Sequence, residues 1–137
     1  MKKPITHNKA WGITITIKGD PRTKKNSQRI IRTKGGRYIP IPSAAYKAYE
    51  AEAEKYLEPW KELKISDPVN VQAHYYMQTR RKVDLTNLNE ALHDTLVKYG
   101  VLEDDNAQII YSTDGSRVYY DRENPRTEIV ITPAKTS

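Results

Sequence analysis

Residues 69–100, VNVQAHYYMQTRRKVDLTNLNEALHDTLVKYG, change period partway along, and that change decides the fold. In the first part Val69, Val71, Ala73, Tyr75 and Met77 alternate with Asn70, Gln72, His74 and Tyr76, the period of two expected of a strand buried on one face. After the polar run from Gln78 to Lys82, Leu85, Leu88, Leu92, Leu96 and Tyr99 recur at three- and four-residue intervals, the pattern of an amphipathic helix. Asp84 or Thr86 starts that helix and Gly100 closes it. A strand handing over to a helix, each with a single apolar face, calls for a sheet covered by helices.

Toward the N-terminus, Ile13, Ile15 and Ile17 alternate with threonines in another half-buried strand, ended by Gly19-Asp20-Pro21. A basic loop follows, then arms at 29–32 and 37–41 around Gly35-Gly36, a hairpin whose second arm Pro40 and Pro42 keep short or at an edge. Ser43 caps a helix with Tyr46, Tyr49, Ala53, Tyr56 and Trp60 near one stripe, and Pro59 breaks its end. The stripe reads as a packing face in preference to a stacking platform for bases. Beyond Gly100, Ala107 to Thr113 reads as a strand, Asp114-Gly115 as a turn, and the segments at 118–120 and 128–132 as one or two more strands. The expectation is an α+β single domain over residues 1–137, a mixed sheet packed by two main helices, with residues 1–11 a flexible leader and 133–137 a tail.

Composition narrows the chemistry. The 137 residues include no cysteine, which removes disulfides, zinc–thiolate sites and thiol nucleophiles together. No apolar run approaches the roughly 18–20 residues of a membrane span, and Met1-Lys2-Lys3-Pro4 is not followed by the apolar stretch of a signal peptide, so a cytoplasmic protein without a membrane partner is expected. The formal charge of +6 is uneven: residues 1–37 hold eleven of the 23 basic residues and one of the 17 acids, a local +10, which leaves −4 for residues 38–137. A basic front beside an acidic remainder suits a polyanion partner plus a separate carboxylate cluster, and suits equally a solubilising segment before an ordinary surface.

The stretch from Arg80 to Gln108 bears on that choice. Arg80, Arg81 and Lys82 precede Asp84, and Glu103-Asp104-Asp105-Asn106 follows the helix. Two separated aspartates brought to neighbouring strand ends make an all-oxygen site for Mg²⁺, with Mn²⁺ possible, and nearby cations hold the rest of a phosphate backbone. The same residues also fit a plainer account, with Asp84 and Thr86 as N-caps and 103–106 as a solvated loop. The loop is not an EF-hand, because no Gly stands sixth from Asp104 and no Glu twelfth. His7, His74 and His93 receive no role, since oxygen ligands suffice for Mg²⁺.

The spaced combination of Arg80-Arg81-Lys82-Val83-Asp84-Leu85-Thr86-Asn87-Leu88, Ala91-Leu92-His93-Asp94-Thr95-Leu96, Gly100 and Asp104-Asp105-Asn106-Ala107-Gln108-Ile109 resembles the core of the RusA family of Holliday junction resolvases, commonly of phage or prophage origin. The segment Pro21-Arg22-Thr23-Lys24-Lys25-Asn26-Ser27 is similar to that family's N-terminal segment. The resemblance implies a Mg²⁺-dependent endonuclease that cuts four-way DNA junctions as a homodimer. Asp84 matches the family's first catalytic Asp, Asp105 matches the Asp of the later pair with Asp104 beside it, and Asn87 matches the supporting Asn. Thr86 stands where the family has a second Asp, and Glu90 where it has a Lys; Glu90, four residues from Thr86 on one helical face, could restore the missing carboxylate. The expected site is therefore Asp84, Asp104, Asp105 and Glu90, with Thr86 and Asn87 in support. Arg22, Lys24, Lys25, Asn26, Arg29, Arg80, Arg81 and Lys82 are expected on DNA. Two rivals remain: a non-catalytic binder of branched DNA with a degenerate site, and a basic RNA-binding protein.

Overall fold

In the computed structural model, residues 11–24 and 28–135 are described, with the side chains of residues 28–31, 39, 40 and 42 excepted. The proposed flexible leader therefore lies almost wholly outside the described residues. Strand β1 (Ile13–Lys18) buries its three isoleucines and exposes Thr14, Thr16 and Lys18. It pairs antiparallel with β7 (Arg126–Pro133), Ile15 opposite Ile129. Between them in sequence, β2 (Gln28–Arg32) and β3 (Tyr38–Pro42) form a separate two-stranded sheet. Thr33 and Arg37 close that hairpin, the Thr33 N–H donating to the Arg37 carbonyl at 2.7 Å, and Gly36 takes the left-handed turn position at φ 86°. The prolines of β3 sit where no third strand needs their missing N–H groups.

Helix α1 (Ala44–Leu57) begins where the Ser43 Oγ accepts the Tyr46 N–H at 3.1 Å, and a short 3₁₀ turn at Glu58–Trp60 ends it around Pro59. Tyr46, Ala53 and Leu57 are buried, while Tyr49, Tyr56 and Trp60 pack partly buried against the same core, so the tyrosine stripe is a packing face.

The quoted stretch holds the centre. Strand β4 (Val69–Met77) alternates buried and half-buried residues along its whole length, and α2 (Leu85–Lys98) buries Leu88, Ala91, Leu92, Thr95 and Leu96. One edge of β4 is taken by β7, antiparallel. The other is taken in succession by two parallel strands, β5 (Ile110–Ser112) and β6 (Arg117–Tyr120). The sheet is thus mixed and five-stranded. Its isoleucine, valine and Tyr75 face forms one core with Ala53, Leu57, Leu88, Leu92 and Leu96, so both helices cover the same side. Each fully buried leucine contributes about 2–3 kcal/mol to that packing.

Two local details matter for the site. Gly100 closes α2 at φ 82°, and a Cβ there would stand 3.0 Å from the Glu62 backbone N, so both conformation and space require glycine. The strand expected from Ala107 is shorter, because the Asn106 carbonyl accepts the N–H groups of Ile109 and Ile110 at 3.0 and 2.9 Å. That turn keeps residues 106–108 out of the ladder, which the chain joins at Ile109, whose carbonyl accepts the Val69 N–H at 2.7 Å.

Candidate active site

The basic run and Asp84 are presented by a short connection between β4 and α2. Val83 and Leu85 pack against the core, so Asp84 between them points outward. It occupies the N-cap position at φ −94° and ψ 130°, yet its side chain makes no capping bond. Its Oδ2 instead accepts Asn87 Nδ2 at 3.4 Å. A carboxylate excused from capping and left at the electropositive start of a helix remains available to a ligand. Thr86 and Glu90 are exposed on the first turns of the same helix.

The three cations before Asp84 diverge. The Arg80 guanidinium lies 4.1 Å over the Tyr120 ring, and Lys82 is exposed. Arg81 turns inward, donating from Nη1 to Asp20 Oδ2 at 2.8 Å and from Nη2 to the Pro21 carbonyl at 2.6 Å. Asp20 also accepts the Gln78 N–H at 2.9 Å and stands 3.4 Å from Arg22. This carboxylate ties the loop after β1 to the segment after β4, holding Arg22 and Arg81 side by side. Arg81, expected on phosphate, also makes that tie, with its side chain 31% exposed. Lys25 and Asn26 lie outside the described residues, as does the Arg29 side chain.

In the loop after α2 the paired aspartates separate in role. Asp104 Oδ1 accepts the Asp105 N–H at 2.7 Å, and its Oδ2 accepts Asn106 Nδ2 at 3.2 Å, so Asp104 shapes the loop. Asp105 lines a cavity of about 580 Å³ together with Lys24, Tyr46, Lys47, Glu50, Asp94, Val97 and Lys98. Lys24 Nζ lies 3.4 Å from Asp94 Oδ2, and Lys98 Nζ donates to Glu50 Oε1 at 3.1 Å. Asp84, Asp104 and Glu90 are not among the residues lining this cavity.

Asp94, to which the sequence pattern assigns no role, also lines this cavity. Asn87, Glu90, Asp94 and Lys98 recur at three- and four-residue intervals, and that polar stripe is the signal that could have marked it. His93, on the neighbouring face, is half-buried with Nε2 lacking a hydrogen-bond partner. Burial pushes its pKa below the usual 6.5, against the opposing pull of the Asp105 and Asp94 carboxylates.

The donors are hard oxygens, which suits Mg²⁺ or Mn²⁺. Among the described residues no three Asp, Glu or His side chains gather to hold a metal ion. Asp94 and Asp105 line one cavity, and Mg²⁺ is usually held by one or two carboxylates completed by waters and phosphate oxygens.

One face of a mixed sheet, two helices across it, and a cavity lined by Glu50, Asp94 and Asp105 together with Lys24, Lys47 and Lys98 define an α+β domain with a charged site. The chain belongs to the RusA family: the family model for endodeoxyribonuclease RusA matches residues 18–132, most of its length. That family comprises endodeoxyribonucleases, in general resolvases of Holliday junctions that bind branched DNA. No curated protein matches the chain.

Proposed function

We propose that this protein is a Mg²⁺-dependent endodeoxyribonuclease that resolves four-way junctions by paired, symmetric nicks, acting as a homodimer in the cytoplasm of a bacterial or phage-infected cell. The observation that carries the reading is the family match over residues 18–132; the resemblance of the Arg80–Ile109 stretch assigns the acidic positions to Asp84 and Asp105. A junction with near-twofold symmetry is most simply nicked twice by a C₂ pair of subunits. Asp84 and Asp105 are the principal ligands in this reading, with Asp104 orienting its neighbour and Asp94 and Glu90 supplying further oxygen. When bound, the ion supplies a more acidic water and neutralises charge on the phosphoryl oxygens. Lys24, Arg80 and Lys82 bind backbone phosphates, and Asp20 keeps the two basic segments in register.

The test is a labelled four-way junction incubated with and without Mg²⁺, beside the Asp84→Asn and Asp105→Asn variants. Metal-dependent paired nicks lost in both variants support the enzyme. Thr86 and Glu90, which stand at the acid and lysine positions of the resemblance, favour one second reading, a binder of branched DNA that does not cut. Tight junction binding without nicks at any Mg²⁺ concentration would establish it. Preference for RNA over the junction would overturn both. Glu90→Gln should weaken metal binding if Glu90 replaces the acid missing at Thr86, and an unchanged metal titration would reject that role.

A further inference from the structure

Both helices lie on one side of the main sheet. On the other side every strand residue, from Thr14 and Lys18 on β1 to Arg117 and Tyr119 on β6, is exposed or half-buried. The strand registers set Lys18, Arg126, Tyr76 and Tyr119 in one row across β1, β7, β4 and β6. The Arg126 guanidinium carbon lies 3.8 Å from the centre of the Tyr76 ring, and Tyr119 stacks on Tyr76 with 4.9 Å between centroids and 15° between planes. Arg126 and Tyr119 reach Tyr76 from the strands on its two sides, so both faces of that ring are covered.

Tyr119 is different. Its two ring contacts, the stack on Tyr76 and an edge contact with His74 at 5.2 Å, both come from β4. No described strand pairs with β6 on its other side. The outer face of the Tyr119 ring therefore points away from the sheet, an aromatic plane held in place by its neighbours and bare among the described residues. The charges on this side are unequally satisfied. Glu128 accepts from Arg126 Nε at 2.7 Å and Asp121 from Arg126 Nη1 at 2.9 Å, so these three satisfy one another. Arg117, two residues from Tyr119 on the same face of β6, is exposed and forms no ion pair with a described residue, and the same is true of Lys18.

A bare aromatic plane beside unpaired cations matches a single nucleic-acid strand, whose bases stack on aromatic rings while its phosphates follow a basic track. In a duplex each base face is already stacked on its neighbour, so this plane meets a base only where the strand is unpaired. We propose that Tyr119 stacks an unpaired base of single-stranded DNA on its outer face and that Arg117 holds the adjoining phosphate. The stack on Tyr76 and the edge of His74 fix the ring before the base arrives, so little side-chain freedom is lost on binding. The site lies on the side of the sheet opposite α1 and α2, whose residues line the cavity with Asp105. It goes beyond the junction-cutting reading, and its test needs neither a junction nor metal.

In EDTA, the native chain should bind oligothymidine at least about 5-fold more tightly than an abasic strand of equal length and charge, the factor expected of one stacked base. Tyr119→Ala should erase that difference, and Tyr119→Phe, which keeps the ring, should retain it. Arg117→Gln should lower the slope of log affinity against log salt by about 0.7. Irradiating the native chain with a strand that carries iodouracil should cross-link Tyr119, as read by mass spectrometry of the digested product. A native chain indifferent to bases overturns the site, as does a preference that survives Tyr119→Ala or is lost in Tyr119→Phe. Tighter binding of oligouridine than of oligothymidine overturns DNA as the occupant, and an unchanged salt slope overturns the phosphate contact of Arg117. Should Tyr119→Ala unfold, the cross-link in the native chain decides, and product at other residues only overturns the proposal. None of these results bears on metal-dependent nicking, which stands or falls by the Asp84→Asn and Asp105→Asn variants.

Discussion

Replacing Asp20 with Asn keeps the side chain's size, removes its charge, and tests whether this carboxylate joins the two basic segments. In the folded chain it accepts from Arg81 at 2.8 Å and from the Gln78 N–H at 2.9 Å, and it lies 3.4 Å from Arg22. Its side chain is only 12% exposed, whereas those of Arg81 and Arg22 are 31% and 35% exposed. An Asn can still accept from Gln78, so that bond is retained. The charge-assisted bond to Arg81 is lost, which costs about 1.5–3 kcal/mol, with the partial exposure of Arg81 favouring the lower half. The Arg22 pair, longer and more exposed, adds less than about 1 kcal/mol. The expected loss is about 2 kcal/mol, or roughly 6–10 °C in Tm for a domain of this size. Urea unfolding measures it directly. A double-mutant cycle with Arg81→Met should return a coupling of at least about 1 kcal/mol. An Asp20→Asn variant within about 0.5 kcal/mol of the native chain, or a cycle without coupling, refutes the tie, since an unconnected surface site shows that much change or less.

Three further outcomes follow from the same structure. Burial pushes the Tyr49 phenol up to about 12 against the lowering effect of its 2.9 Å bond to Thr127, burial likewise pushes Tyr46 up to about 12, and Tyr75 is raised well above 10.0. Because these folded values exceed the unfolded one, the stability they contribute is intact below pH 10.0 and lost as pH climbs toward 12. A phenolate absorbance titration should therefore show part of the ten tyrosines appearing only with unfolding, and a single transition near pH 10 in folded protein would contradict it. Leu96→Ala, at a side chain with 0% exposure, should cost about 2–5 kcal/mol in urea unfolding. Lys24→Gln breaks only an exposed pair, so stability should move by less than about 0.5 kcal/mol. If Lys24 meets a phosphate, the same variant should lower the slope of log affinity against log salt by about 0.9 on junction arms.

How much of the fold the sequence carries follows from how local each signal is. The period-two run Val69–Met77 and the leucine spacing of 85–96 encode their own burial, because side-chain direction follows backbone geometry within a few residues. Ser43, Gly100 and the turn at Thr33–Arg37 are likewise local. The strand at Ala107 is shorter than alternation predicts because the Asn106 turn competes with the ladder, and alternation alone carries no record of that turn. Asp84 was legible as an outward acid from its place between Val83 and Leu85.

What the sequence by itself determined is the class of each element, the mixed α+β order and the family, through residues spaced along Arg80 to Ile109. What only the tertiary structure decided is which charges meet. Arg81 is bound to Asp20, Lys24 stands beside Asp94 and Asp105 shares their cavity, each pairing joining segments far apart in the chain. No periodicity spans such separations. Those neighbours are set by the order β1-β7-β4-β5 within the sheet and by the side of it on which both helices lie.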